Sequence, residues 1–178
     1  MAVERSGEAF EFGEQLTVVG SKLAVGDTAP EFELDYLDPA DQTMKQVRLS
    51  DSSGTVRLLN VVNSVDTPVC HVETRQWDRL RANLPDDVRL YTISMDLPFA
   101  LSRWQTAESV SHPTLSAHRD TSFGVDYGVL LKEWRLLQRA VFVIDGAGTI
   151  VHVEYVNDQM LVPSYDAAVA AARAVSKV

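Results

Sequence analysis

The sequence is poor in cysteine, in positive charge and in long apolar runs, and each of these shortages argues against certain classes of protein. Its 178 residues include one cysteine, so the chain forms no intrachain disulfide, as is usual in a reducing compartment. The net charge of −9 argues against binding to nucleic acid or to an anionic membrane. No run approaches the ~18 apolar residues of a membrane span, and the start, MAVERSGEAFEFGEQ, lacks an apolar signal-peptide core. We therefore expect a cytoplasmic protein.

What the sequence does contain is enough apolar material for a packed core and a clear order of elements. The hydrophobic share of 46% and the length suit one domain over residues 1–178. AFEF and QLTVV, joined at Gly13–Glu14, predict an N-terminal hairpin over about residues 9–19. The run VRLLNVVN (56–63) predicts a strand buried on both faces, and from about Val69 the apolar residues follow the helical period.

The second half of the chain predicts further strands and helices. VRLYTISMD (88–96) is typical of a strand, and FALSRWQTAE of a short helix. RAVFVID (139–145) and IVHVEYV (150–156) predict a second hairpin, and YDAAVAAARAV (165–175) predicts a helix. Strand–helix–strand units imply parallel pairing, whereas the hairpin implies antiparallel pairing. We therefore expect an α/β fold with a mixed central sheet and flanking helices, as in a thioredoxin-like fold.

The only cysteine, Cys70, lies in SVDTPVC (64–70), between the buried strand and the helix. A lone cysteine is often a small buried hydrophobe. The first turn of a helix, however, presents unpaired N–H groups and a partial positive charge, and both favour a reactive thiolate. Thr67, three residues earlier, has a hydroxyl that can point toward the sulfur or serve as an N-cap. Pro68 suits a first-turn position, since its missing N–H costs little there.

Other candidate sites are weaker. His71 adjoins Cys70 and suggests a Cys–His hydrolase, but neighbouring helical side chains diverge by about 100° and do not face each other. Trp104 and Trp134 could line either a dimer interface or the site. DGAG predicts a turn, since it lacks the pattern of a phosphate-binding loop. The remaining histidines lack the companion ligands of a zinc site: His112, His118 and His152.

Three segments carry a resemblance to a known family: SVDTPVC (64–70), MDLPFALSRW (95–104) and QRAVFVID (138–145). Together they resemble the peroxiredoxins and, more narrowly, the bacterial thiol peroxidases. The N-terminal hairpin ahead of VGDTAPEFEL also matches, so the resemblance covers most of the chain. It implies a thioredoxin-like fold and a homodimer. It also implies a thiol-dependent peroxidase for hydrogen peroxide and organic hydroperoxides that needs no metal or organic cofactor.

The resemblance also implies roles for individual residues. Cys70 takes the place of the peroxidatic cysteine, Thr67 that of the active-site threonine and Arg139 that of the active-site arginine. Arginine is always charged and offers several donors, so it can hold a thiolate and stabilise the oxygen that leaves. Without the resemblance, Arg139 would be interpreted as a surface charge at the edge of a strand.

Two residues depart from the family pattern. Asn63 stands where the family has a proline that shields the cysteine, and Gln105 stands where it has a resolving cysteine. We therefore expect a one-cysteine cycle, in which a thioredoxin-like protein or a low-molecular-weight thiol reduces Cys70. The loss of the resolving position leaves two alternatives open. One is a peroxide-sensing redox relay or interaction protein with little turnover, and the other is a fold kept only as a dimerising scaffold.

Overall fold

Eleven strands and four α-helices make up the computed structural model, which describes residues 2–178. The strands are Glu4–Glu11 (β1), Glu14–Val19 (β2), Glu33–Leu37 (β3), Met44–Arg48 (β4), Val56–Val61 (β5), Val88–Ser94 (β6), Thr114–Ser116 (β7), Leu130–Leu131 (β8), Leu136–Leu137 (β9), Ala140–Ile144 (β10) and Ile150–Tyr155 (β11). The helices are Pro68–Arg81 (α1), Pro98–Glu108 (α2), Ser122–Asp126 (α3) and Tyr165–Val175 (α4), with a short 3₁₀ helix at Leu49–Ser52. Within the described range, no helix is long and apolar enough to cross a membrane.

The main sheet is mixed, as the sequence predicts. Its seven strands lie in the order β11-β10-β5-β6-β7-β3-β4. β5 pairs in parallel with β6, and β6 with β7, whereas β10 runs antiparallel to both β5 and β11. Every residue of β5 is buried, because both faces of the sheet are covered. This arrangement confirms the predicted thioredoxin-like fold.

Two apolar layers sandwich the main sheet. Successive residues of a strand point to opposite faces, so Leu58 and Leu59 belong to different clusters. Leu58 packs with Trp77 of α1 and with α4, whose bounds match the predicted 165–175. The opposite layer is rich in aromatic side chains and includes these residues: Leu59, Phe32, Phe123, Tyr127 and Phe142.

The N-terminal hairpin is confirmed, with one difference in its turn. The hairpin begins at Glu4, and its two connecting residues are Phe12 and Gly13 rather than Gly13 and Glu14. Both connecting residues have positive φ, 48° and 82°, as a tight hairpin turn of the type that follows strand twist requires. The hairpin continues through β8 and β9 into a four-stranded sheet. The sequence does not predict β8 and β9, because two-residue strands carry no periodic pattern.

Candidate active site

The candidate site lies at the carboxyl ends of the parallel strands β5 and β6, where open α/β sheets commonly build their sites. The loop between β5 and α1 is held by Asp96, which follows β6 on the same edge. Its carboxylate accepts hydrogen bonds from the Ser64 hydroxyl (2.8 Å) and from the backbone N–H of Val65 (2.9 Å). Asp96 was not among the predicted site residues, although an acidic residue at the end of a buried strand segment is a recognisable signal.

Thr67 forms the N-cap of α1, which begins at Pro68. Its hydroxyl oxygen accepts the backbone N–H of Cys70 at 3.4 Å, and the hydroxyl donates to the carbonyl of Ser64 at 3.0 Å. Of the two roles that the sequence left open for Thr67, the structure therefore shows the cap. This cap fixes the turn that carries the cysteine.

Cys70 lies in the first turn of α1 and is fully buried. It belongs to an apolar cluster with side chains from the β5–α1 loop, from α2 and from the turn after α2: Val62, Val65, Leu101, Trp104 and Val110. Two polar groups reach the sulfur from outside this cluster. Nη1 of Arg139 lies 3.4 Å from Sγ, and Oδ1 of Asn63 lies 3.8 Å from it.

Arg139 reaches Cys70 across 69 residues of sequence because β10 pairs with β5. The register places Ala140 opposite Val61, so the preceding Arg139 lies beside the end of β5. The whole Arg139 side chain is buried. Its Nη2 donates to the carbonyl of Gln159 at 2.8 Å and to Oδ1 of Asn63 at 3.4 Å. Arg139 is therefore an internal cation that faces the sulfur, and not the surface charge that residue patterns alone would suggest.

Glu73 is the counter-ion of Arg139, and sequence reasoning missed it. It lies one helical turn after Cys70, is fully buried, and accepts a hydrogen bond from the same Nη1 that faces the sulfur. Burial raises the pKa of Glu73 to about 7, although the charge of Arg139 opposes that shift. Burial also acts to lower the pKa of Arg139, but the negative charges of Glu73 and Cys70 outweigh it and raise that pKa. A glutamate at i+3 on the buried face of the helix was the available signal.

Gln159 organises the other side of the guanidinium. Its Oε1 accepts from the backbone N–H of Arg139 at 2.9 Å and from Nδ2 of Asn63 at 3.0 Å. Its Nε2 donates to the carbonyl of Val156 at 2.7 Å, which anchors the side chain. Gln159 lies in the loop after β11, and no pattern in the sequence marks it.

The residue at the expected resolving position has a structural role. Gln105 of α2 donates through Nε2 to the carbonyl of His112 at 3.0 Å, and its Oε1 accepts from the hydroxyl of Thr114 at 3.0 Å. These bonds connect α2 to β7 and the residues before it. Both the nitrogen and the oxygen of the Gln105 amide therefore already have hydrogen-bond partners.

His71 faces α2 rather than forming a pair with Cys70. Its Nδ1 accepts from Nε1 of Trp104 at 3.2 Å, and its Nε2 lies 3.5 Å from the carboxylate of Glu108. Trp104 is therefore on the site side of the molecule, within the apolar cluster around Cys70. Trp134, in contrast, packs on the N-terminal hairpin.

Comparisons with known proteins agree with this geometry. Residues 25–153 match the AhpC/TSA family. The thiol peroxidase of Halalkalibacterium halodurans is 46% identical over 163 residues, which is 91% of this chain and 95% of that protein. The thiol peroxidase of Bacillus subtilis is 42% identical over 166 residues, with 93% and 96% covered. A peroxiredoxin-like protein from Aquifex aeolicus has a solved structure with a TM-score of 0.83 and 30% identity, covering 96% of this chain and 99% of that one. The chain therefore belongs to the AhpC/TSA family and, within it, to the thiol peroxidases.

Proposed function

We propose that the chain is a thiol-dependent peroxidase that reduces hydrogen peroxide and organic hydroperoxides through Cys70. The observation that carries this proposal is the 3.4 Å approach of Arg139 Nη1 to the sulfur, in the first turn of α1. A permanent cation and a helix N-terminus both stabilise a thiolate, which is the nucleophile in this chemistry. Both side chains are buried, so the attraction between the guanidinium and a thiolate is little screened, and it offsets the solvation that the thiolate loses on burial.

The first step is an attack of the Cys70 thiolate on the terminal oxygen of the hydroperoxide. An S–O bond forms, the O–O bond breaks, and the departing alkoxide or hydroxide takes a proton to leave as alcohol or water. Cys70 becomes a sulfenic acid. Arg139 stabilises the charge that develops on the oxygens. Thr67 keeps Cys70 in position by capping α1, and we also propose that its hydroxyl helps to align the peroxide.

The second half of the cycle uses an external thiol, because the chain has no second cysteine. The thiolate of a thioredoxin-like protein or of a small thiol attacks the Cys70 sulfur and releases water, and a second thiol then frees Cys70 from the mixed disulfide. Cys70 is fully buried, so the site must open before a thiol reaches it, and we propose that the first turn of α1 is the part that moves.

Assembly and location belong to the same proposal. We propose a homodimer, since side chains beside the site elements α1 and α2 are apolar and more than half exposed: Val72, Leu97 and Phe99. Light scattering of the purified protein tests this.

A cytoplasmic location fits the single cysteine. We also propose one domain over residues 1–178, supported by hydrogen bonds from Phe10 N–H to the Asn157 carbonyl (2.9 Å) and from Gln138 to the Glu8 carbonyl (2.9 Å).

Peroxide consumption by the parent protein and by Cys70→Ser, with a thioredoxin system or dithiothreitol in excess, tests the function. The parent should consume many equivalents of peroxide, and the variant none, while circular dichroism shows the same fold. Equal consumption by the two proteins would exclude Cys70 as the nucleophile. The lack of a resolving thiol at position 105 favours a second candidate, a peroxide-sensing redox relay. It predicts that the parent reacts fast with one equivalent and then stops.

A further inference from the structure

The orientation of the Asn63 side chain follows from its neighbours. Its Nδ2 lies 2.6 Å from the carbonyl oxygen of Leu137 and 3.0 Å from Oε1 of Gln159. Both are acceptors, so the amide nitrogen must face them. The opposite end of the amide, Oδ1, lies 3.4 Å from Nη2 of Arg139, which can only donate. Asn63 thus presents an acceptor, and no donor, to the sulfur of Cys70 at 3.8 Å.

An acceptor beside sulfur favours one protonation state. It can bind the sulfur group only while that group carries a proton, as S–H in the reduced protein or as S–O–H after oxidation. A hydrogen bond to the neutral form disfavours the charged form. Arg139 acts in the opposite direction, because it donates to the anion. Asn63 and Arg139 therefore exert opposing influences on the same buried group.

We propose that Oδ1 of Asn63 accepts the O–H of the Cys70 sulfenic acid and thereby slows its further oxidation to sulfinic acid. This inference rests on the proposed function, because it concerns the intermediate of that cycle. The arrangement suits a sulfenic acid. Its oxygen, bonded to Sγ, accepts from Nη1 of Arg139, while its hydrogen points to Oδ1 of Asn63. The carboxylate of Glu73 accepts from Arg139 and makes no hydrogen bond with the sulfur, whereas Oδ1 of Asn63 lies within hydrogen-bond reach of it.

The two reactions of the sulfenic acid respond differently to that hydrogen bond. Further oxidation begins with the sulfenate anion, whose sulfur attacks a second hydroperoxide. A new S–O bond forms, the O–O bond breaks, and alcohol or water leaves with a proton. Reduction needs no such deprotonation. An external thiolate forms an S–S bond to Cys70, the S–O bond breaks, and hydroxide leaves as water after taking a proton. The hydrogen bond to Asn63 therefore slows further oxidation of the sulfenic acid but not its reduction. This difference protects Cys70 in a chain that has no resolving thiol.

The test compares Asn63→Leu with Asn60→Leu. Asn60 is also buried and lies on β5, three residues before Asn63, but its amide donates to the hydroxyl of Thr92 (3.1 Å), away from the sulfur. Each protein is treated with hydrogen peroxide, and intact mass follows the first and second added oxygen. A parallel sample with dithiothreitol gives the rate of reduction. Asn63→Ala, which needs less space, is the second variant if the leucine variant does not fold.

The expected result is a roughly three- to tenfold faster second oxidation in the Asn63 variants, the range for one lost hydrogen bond. The rate of sulfenic acid reduction should change little, whereas a merely loosened site would speed both reactions. Unchanged second oxidation in the Asn63 variants, or the same acceleration in Asn60→Leu, would overturn the inference. A parent protein that gains no oxygen at all would overturn the proposed function together with it.

Discussion

Arg139 and Glu73 form an ion pair that is closed to solvent on all sides. The nitrogen that makes the pair, Nη1, also lies 3.4 Å from Sγ of Cys70. The carboxylate of Glu73 and the sulfur of Cys70 therefore compete for one donor. When the sulfur is a thiolate, two negative groups share a single positive charge. Because the pKa of Glu73 is raised to about 7, its carboxyl group loses its proton near neutral pH. The competition for Arg139 therefore becomes stronger as the pH rises through 7.

Glu73→Gln should speed the reaction of Cys70 with peroxide at pH 8. At this pH the Glu73 carboxylate of the parent is mostly ionised and neutralises part of the positive charge of Arg139, whereas glutamine carries no charge. The expected gain is on the order of tenfold. At pH 6 the parent carboxyl is mostly protonated, so the two rates should converge. Stopped-flow fluorescence of Trp104, which packs in the cluster around Cys70, measures the rate. Slower reaction of the variant at both pH values would instead show that Glu73 holds Arg139 in place.

The free energies of unfolding of the parent protein and of Glu73→Gln should depend differently on pH. The pKa of Glu73 is raised from 4.5 to about 7 on folding, so the folded state binds that proton more tightly than the unfolded state. Its contribution to the free energy of unfolding is present below pH 4.5 and lost as pH rises through 7. Relative to Glu73→Gln, the parent should lose on the order of 3 kcal/mol between pH 4.5 and pH 8. Urea unfolding at a series of pH values measures the difference, and parallel curves would contradict the assignment.

Arg139→Met should lower kcat/KM for peroxide by about 10²–10³, the usual cost of one group that stabilises developing charge. It should also lower the thiolate absorbance of Cys70 in the ultraviolet at neutral pH. Methionine leaves Glu73 buried without its partner, which costs about 3–5 kcal/mol of stability. The double variant Arg139→Met/Glu73→Gln avoids that cost and is the control. Unchanged thiolate absorbance in the double variant would show that Arg139 does not stabilise the thiolate of Cys70.

Thr67→Val should loosen the first turn of α1, because the hydroxyl that accepts the Cys70 N–H is lost. The expected cost is about 1 kcal/mol of stability. Alkylation of Cys70 by iodoacetamide should become faster, since the buried thiol is exposed by opening of this turn. Thr67→Ser keeps the cap and should behave as the parent in both measurements. Identical alkylation rates for the valine and serine variants would show that the cap does not control access.

The oxidation products should be those of a one-cysteine enzyme. After one equivalent of peroxide, intact mass should show one added oxygen, and excess peroxide should add a second. Loss of two hydrogens within a chain should not occur, since Cys70 is the only thiol. A non-reducing gel detects the remaining disulfide, between two copies of Cys70. Rapid formation of that covalent dimer, followed by its reduction by thioredoxin, would show that the cycle is not of one-cysteine type.

Local patterns determined the unit that carries the cysteine. A continuous apolar run predicts β5, and a threonine cap followed by Pro68 predicts the start of α1. Such signals involve residues close in sequence, so they need no knowledge of the rest of the fold. The same holds for the N-terminal hairpin and for α4 at Tyr165–Val175. The sequence also predicts the one-cysteine cycle, because the lack of a second thiol is visible without a structure.

Only the tertiary structure decided what surrounds the sulfur. On residue patterns alone, Arg139 is a charge at a strand edge, and the resemblance was needed to assign it to the site. The register of β10 against β5 brings it to Cys70, and long-range pairing of this kind leaves no local trace. The partners Glu73, Asn63 and Gln159 share one cause. Each is a polar residue whose burial depends on the packing of α1, β5 and the loop after β11 around one guanidinium, which no segment of the chain encodes by itself.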